Sequence, residues 1–543
     1  MTALGRLKLL CHSLQASTSD ISFCCPGPRK SKLPTYGTSD KDLDILFRYK
    51  MDITWMSTVL VAFIIPCVIY SWWNALYRRR NLPPGPTPLP IVGNVLQIKR
   101  GKLVKTLMEF AEKYGPVYTL YFGHHPVVVL SGYETVKEAL LDLPEEFSGR
   151  GRSPTFDHLF KGFGIVFSNG ERWKDLRRFS LTTLRNFGMG KKSIEERIQE
   201  EAGFLVAEIK SLKGKPLDPA DLLLQAVSNV ICSVVFGNRF EYNNESLRQL
   251  LRLFGETFKE VSSPWGQLMD MLPEFMNYIP GPHQRISRHM TKLTKFVSER
   301  VKMNQDTFDP NSPRDYIDCF LLKKLQEKDN SNFNTNNMIL TVLNLFFGGT
   351  ETVSSTLRQG FLLLMAYPEI QDKVIEEIDQ VIGQNRLPNI EDRMKMPYTD
   401  AVIHEIQRFV DIFPVSVVHM VIKDVNFKGY TIPKGTDVYP LLCSLHQDHK
   451  MFTTPNKFNP KHFLDSNGSF KKNKAFMPFS AGKRVCVGEG LARMELFLFL
   501  TSILQNFKLT SKTKFADEDI QPRMTALVNM PTFYEMSFIP RAL

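Results

Sequence analysis

The sequence lacks the spacings that build several common functional sites. No Cys-x-x-Cys occurs, so a closed zinc site has no obvious ligand pair. The eight cysteines are Cys11, Cys24, Cys25, Cys67, Cys232, Cys319, Cys443 and Cys486. They are scattered and form no disulfide framework, which fits a reducing compartment. No G-x-G-x-x-G fingerprint is present, so the chain shows no nicotinamide site of its own. No basic stripe carries interleaved aromatics, so the net charge of +12 does not point to nucleic acid. A solvated basic face for an acidic protein or anionic lipid is the better reading. No secretory leader with a small-residue cleavage site opens the chain.

What is there begins with a polar, irregular stretch, 1–50, expected to be either an upstream extension from alternative initiation or a disordered cytosolic arm. Ile53 to Trp73 follows, an apolar run long enough to span a bilayer, with Trp55, Trp72 and Trp73 near its ends. Arg78-Arg79-Arg80 comes next, and the positive-inside rule keeps it and everything after it in the cytosol. Residues 51–80 are thus expected to be a membrane anchor. Residues 81–90 are a proline-rich hinge, in which Pro83-Pro84-Gly85-Pro86 and Pro88, Pro90 forbid helix and stiffen the chain. Residues 91–543 remain for one large domain.

Within that domain, Val117–Phe122 and Pro126–Leu130 around Gly123-His124-His125 signal a hairpin. Residues 200–330 read as helical, Asp329–Asn337 as a polar loop, and Asp400–Val410 as a helix. Residues 520–543 alternate short extended runs. Thr341–Leu357 is an apolar helix interrupted by Gly348-Gly349-Thr350-Glu351-Thr352. Two adjacent glycines weaken a helix by roughly 1 kcal/mol each relative to alanine. A local opening there would make room for a small molecule, with Glu351 and Thr352 as an acid and a hydroxyl for proton delivery.

The most informative stretch is Phe479-Ser480-Ala481-Gly482-Lys483-Arg484-Val485-Cys486-Val487-Gly488, followed by the apolar run Leu491–Leu504. One cysteine sits in a glycine-bounded loop, with basic residues before it and a helix start after it. Arg484, loop N–H groups and a helix N-terminus all favour a thiolate. One thiolate with room for a flat ligand reads as haem with an axial cysteine.

Phe-x-x-Gly-x-Arg-x-Cys-x-Gly is the signature of the cytochrome P-450 (CYP) haem-thiolate family. From about Met51 onward the chain resembles the vertebrate microsomal family 2, in particular its C-like subfamily. The resemblance implies a mainly α (α+β) cytochrome P-450 fold: a large helical domain with a smaller β-rich region behind an N-terminal transmembrane helix. It implies haem b with Cys486 as axial iron ligand. Trp173, Arg177, Arg150, His419 and Arg484 would hold the propionates, with arginine suited to carboxylates. Glu351 and Thr352 would be the proton-handling pair. This chain departs from most relatives in having Gly348 for Ala and Val353 for a second Thr. Glu405 and Arg408 match a buried structural Glu-x-x-Arg, with His462 as third partner.

The resemblance further implies that Leu527, Val528, Val415–Val418 and Thr155–Phe163 line the substrate pocket. Pro264–Ile279, an apolar patch, would dip into the membrane. Arg172, Lys174, Arg178, Lys191, Lys192, Lys471, Lys472, Lys474 and Lys483 would form a basic face for an acidic reductase. That reductase would bring electrons from NADPH, with cytochrome b5 as an implied accessory partner. The implied location is the endoplasmic reticulum membrane, catalytic domain on the cytosolic face. The implied activity is hydroxylation or epoxidation of fatty acids such as arachidonate, steroids and xenobiotics. Two competitors are a haem-thiolate isomerase or dehydratase, against which Glu351-Thr352 argues, and a non-catalytic haem sensor. His446, Asp448 and His449 imitate a metal triad and read as structural. Asn244 and Asn467 open glycosylation sequons that a cytosolic domain would leave bare.

Overall fold

A 32-residue helix, Thr335–Ala366, forms the axis of the fold and extends about 48 Å. Asn334 caps its start by accepting from the Asn337 N–H. Leu343, Phe346, Val353, Leu357 and Phe361 are buried along it. The computed structural model describes residues 82–90, 92–99, 101–186, 193–271, 273–276, 278–525 and 528–541, with 55–56, 58–67, 69–70 and 73. The chain divides into two units, 1–67 and 68–543.

In the second unit the central helix packs on Ala220–Val235, Gln284–Asp306, Pro397–Val410 and Glu489–Asn506. Two of these, Ala220–Val235 and Glu489–Asn506, are apolar on nearly every face. Such helices belong inside a protein, and both are buried over most of their length. The smaller region is a five-stranded sheet of β1 (Val117–Phe122), β2 (His125–Leu130), β3 (Gly149–Arg150), β4 (His419–Met420) and β7 (Asp437–Pro440), in the order β1-β2-β7-β4-β3. The expected hairpin is β1–β2, in antiparallel register from Val117–Leu130 to Phe122–His125. Strands β5 (Val425–Phe427) and β6 (Tyr430–Ile432) form a separate pair. So do β8 (Phe507–Thr510) and β11 (Ser537–Pro540), and the tight hairpin β9 (Arg523–Thr525) and β10 (Val528–Met530). The observed fold is mainly helical with small sheets, as the sequence implied.

Two expectations need correction. The central helix runs unbroken through Gly348-Gly349, so the local opening is not a break in the helix. The polar loop before it ends sooner than expected, because Thr335–Asn337 are already helical.

Among the described residues no helix is long and apolar enough to cross a membrane. Positions 53, 54, 57, 68, 71 and 72 of the expected span, the Arg78-Arg79-Arg80 triplet and residues 1–50 lie outside the described residues. So do Lys191, Lys192 and Leu527.

Candidate functional site

The cysteine loop is shaped by a hydrogen bond across its base and by one glycine. The Cys486 N–H donates to the Phe479 carbonyl at 3.0 Å, closing the loop. Gly482 has φ +72°, and a Cβ there would lie 2.0 Å from the Leu140 carbonyl oxygen. Only glycine fits both the left-handed backbone and that approach. Gly482→Ala is expected to cost at least the roughly 1–2 kcal/mol of a left-handed Cβ, plus the displacement of Leu140. A lower midpoint in urea unfolding checks this.

Cys486 sits just before the helix Glu489–Asn506, and the N–H groups of Gly488 and Glu489 point at its sulfur. Burial and the Glu489 carboxylate push the thiol up, while those two N–H groups and the Arg177 charge pull the other way. The residue is nonetheless accessible, so the sulfur lies deep in the protein and faces open space. Val487 and Leu491, just beyond it, pack on the core cluster that contains Phe346 of the central helix.

Beside this loop lies a cluster of buried and half-buried cations. Arg177, on the helix Gly170–Asn186, donates to the Val485 carbonyl at 2.6 Å. Arg484 stacks its guanidinium 3.8 Å from the Trp173 ring centroid, one helical turn before Arg177. Its Nε donates to Ser148 O at 2.7 Å and its Nη2 to Ser168 O at 2.9 Å. Its Nη1 is buried without a hydrogen-bond partner.

Arg150 and His419 are direct cross-strand partners on β3 and β4. Arg150 donates to the carbonyls of Val166, Val417 and Val418. His419 Nδ1 lies 2.8 Å from the Phe147 carbonyl, which can only accept, so Nδ1 carries the proton. Asn169 had no motif to announce it. It accepts from the Arg150 N–H at 2.7 Å and from Arg484 Nη2 at 3.0 Å, and so ties the strand to the loop.

The electrostatics of this cluster are unbalanced. Burial and the charges of Arg150 and Arg177 push Arg484 down to about 8. Burial with the Arg177 charge takes Arg150 to about 10. His419 is pushed down to about 3 by burial, Arg150 and Arg484. The hydrogen-bond acceptors found around the three guanidiniums are carbonyls and one amide. Buried cations call for anions. An orphaned guanidinium N–H beside a thiol facing open space therefore fits a planar ligand that carries carboxylates and a metal. The residues present fit haem.

The central helix supplies another wall. A Cβ on Gly348 would meet nothing within 4 Å, so that position faces open space. A Cβ on Gly349 would sit 3.3 Å from Ile231, so this glycine lets the helix approach Ala220–Val235 closely. The Thr352 hydroxyl donates to the Gly348 carbonyl at 2.8 Å. Glu351 accepts from Ser355 at 3.2 Å, and burial pushes its carboxyl up.

Away from this site, Glu405 and Arg408 form a buried two-bond pair of 2.7 and 2.6 Å, and His462 Nδ1 lies 3.1 Å from Glu405. The apparent metal triad dissolves: His446 is buried against Asp411 at 3.0 Å, while His449 is exposed. Among the described residues no group of three or more His, Cys, Asp or Glu could hold a metal ion. A cavity of about 380 Å³ lined by Asp175, Arg178, Phe179 and Cys319 contains none of the residues of this site.

The cytochrome P450 family model matches residues 83–538. Cytochrome P450 2G1 of Rattus norvegicus is 55% identical over 487 residues, covering 89% of this chain and 99% of the relative. Cytochrome P450 2A4 of Mus musculus is 54% identical over 483 residues, covering 89% and 98%. Cytochrome P450 2A13 of Homo sapiens is 52% identical over 484 residues, with the same coverages. With this extent of match, the chain belongs to the cytochrome P450 family and is a haem-dependent monooxygenase, an oxidoreductase.

Proposed function

We propose that the protein is a microsomal monooxygenase that hydroxylates or epoxidises lipophilic substrates, with electrons passed from NADPH through a separate reductase. One observation supports the site assignment above all: a thiol at a helix N-terminus faces open space beside three guanidiniums, Arg484 buried and Arg150 and Arg177 half-buried, that have no carboxylate partner. In this reading Cys486 would hold the haem iron through its sulfur, and Arg150, Trp173, Arg177, His419 and Arg484 would hold its carboxylates. When bound, haem supplies the reductive activation of O₂ and the transfer of one oxygen atom.

The chain's own residues position and protonate. The N–H groups of Gly488 and Glu489 stabilise negative charge on sulfur, so Cys486 would hold the haem iron as a thiolate. Glu351, whose carboxyl burial pushes above the usual carboxylate range, gives protons to the Thr352 side, and Thr352 passes them on. In the state described, the Thr352 hydroxyl is held by the Gly348 carbonyl, so delivery requires that bond to exchange.

Glu351→Gln is expected to lower kcat by roughly 10²-fold with little change in KM. Thr352→Ala is expected to keep NADPH consumption while diverting it to peroxide. Measuring NADPH, peroxide and product together checks both. Unchanged coupling in both variants would remove these residues from the proton path.

The remaining parts of the proposal rest on sequence and kinship. Residues 51–80 anchor the chain in the endoplasmic reticulum membrane, 81–90 form a hinge, and 91–543 form the catalytic domain on the cytosolic face. Trp265, Leu268, Phe275 and Tyr278 are exposed on the Pro264–Ile279 segment, as a membrane-dipping patch requires. Arg178, Lys471, Lys472 and Lys474 are exposed, while Lys174 and Lys483 are paired with Glu171 and Glu145. That leaves the first four as the main basic contacts for a reductase or cytochrome b5. Fatty acids such as arachidonate, steroids and xenobiotics are the proposed substrate classes. The C-like subfamily belongs to this reading through the sequence alone, since the relatives named above are of the 2G and 2A kinds.

A further inference from the structure

The polar surroundings of Glu351 extend beyond the acid–hydroxyl pair. Ser355 lies one turn further along the same face of the central helix and is buried. Its hydroxyl donates to Glu351 Oε1 at 3.2 Å, and the Met530 thioether, 3.7 Å away on β10, is the competing acceptor. The neighbouring hydroxyls are engaged elsewhere. Ser354 donates to Thr350 O at 2.8 Å and Thr356 to Thr352 O at 2.7 Å. Ser355 is therefore the one hydroxyl of 354–356 aimed at a carboxylate.

Arg358, seven residues from Glu351, returns to the same face. Its Nη2 donates to Asp218 Oδ2 at 2.9 Å, and Asp218 belongs to the segment leading into Ala220–Val235. Other groups close to this stretch contribute little charge. Asp221 is the only charged residue of Ala220–Val235, and β10 has none. Tyr534 donates its hydroxyl to the Arg358 carbonyl. The Glu351 carboxyl is pushed up by burial and held back by the Ser355 bond and the Arg358 charge.

We propose that Ser355, Arg358 and Asp218 are a positioning set that fixes where Glu351 points and when it releases its proton. Ser355 donates to the carboxylate. Arg358 favours the charged form through its field. Asp218 partly cancels that field. The inference rests on the reading of Glu351 as the acid of the site.

The signs follow from this arrangement. Removing a donor to the carboxylate, or a nearby positive charge, disfavours ionisation. Removing the Asp218 charge leaves Arg358 uncompensated and favours ionisation. The test is an infrared pH titration of the Glu351 carboxyl stretch in the ferric holoenzyme, the band being assigned by its loss in Glu351→Gln. The midpoint is expected to move up in Ser355→Ala and Arg358→Gln, to move down in Asp218→Asn, and to return towards its original position in Ser355→Thr. A merely structural role would not produce opposite directions. An unmoved midpoint in Ser355→Ala, or an upward shift in Asp218→Asn, would overturn the proposal. Should Arg358→Gln fail to fold, those two variants still decide it. The readout is independent of turnover: an unaltered kcat in Glu351→Gln would count against the acid role and leave the midpoints to judge the positioning set.

Discussion

Cys486→His, reconstituted with haem, is expected to lose monooxygenase activity altogether. The Soret band of its dithionite-reduced CO complex is expected to move from the position of thiolate-ligated haem to that of imidazole-ligated haem. The loop explains why no other group can substitute. The sulfur receives two N–H groups at the start of Glu489–Asn506 and feels the Arg177 charge, which favour the thiolate against the net upward push of burial and the Glu489 carboxylate. A neutral imidazole in the same place gains nothing from those donors. The alternative thiols are unsuitable as well. Cys232 and Cys443 are buried and strongly pushed up by desolvation, so they stay protonated and act as small apolar side chains. A thiolate-type spectrum in Cys486→His would mean that the ligand has been misassigned.

Arg408→Ala is expected to be the most damaging single change to stability. The guanidinium makes two bonds to Glu405 and donates to the carbonyls of His446, Pro455 and Lys457 at 2.8, 2.8 and 3.1 Å. Both side chains of the pair are at most 1% exposed. Truncation leaves a buried carboxylate with His462 and the Asn459 N–H and removes the donor of three carbonyls. Breaking a buried pair this way costs about 3–5 kcal/mol. A domain's whole margin is about 5–15 kcal/mol. Urea unfolding and haem content per protein check the effect. Arg408→Lys should retain the charge but lose the planar fork, and fall between the two. Wild-type stability in Arg408→Ala would show that the pair is dispensable.

The two predictions differ in how far sequence alone could carry them. The cysteine loop was legible because its parts are local: the glycine, the cysteine and the helix start lie within ten residues. The Glu405–Arg408 spacing was equally visible, but i and i+3 describes an exposed pair just as well. Its burial comes from Phe452 and the 455–457 turn, some fifty residues further on. The cationic cluster was anticipated from the family signature. Its lack of a carboxylate emerges only when β3, β4, the Trp173 helix and the Cys486 loop come together.

Local propensity misled at Gly348-Gly349. The cost of two glycines is small against the burial of Phe346, Val353 and Leu357, so tertiary packing keeps the helix intact. The glycines act on space instead: one faces the open side, and the other permits contact with Ile231. Asn169 and Ser355 were missed because their partners are chosen by geometry and no spacing marks them. His446 was read as structural despite its neighbour His449, but no spacing pointed to its partner Asp411, 35 residues earlier.

The most direct test of the central claim is turnover with isotopically labelled O₂, purified reductase and NADPH over a panel of fatty acids, steroids and drugs. The account predicts product carrying one labelled oxygen atom, dependent on the reductase and absent in Cys486→His. Reductase-independent rearrangement of lipid hydroperoxides, with no label taken from O₂, would contradict it and identify an isomerase instead.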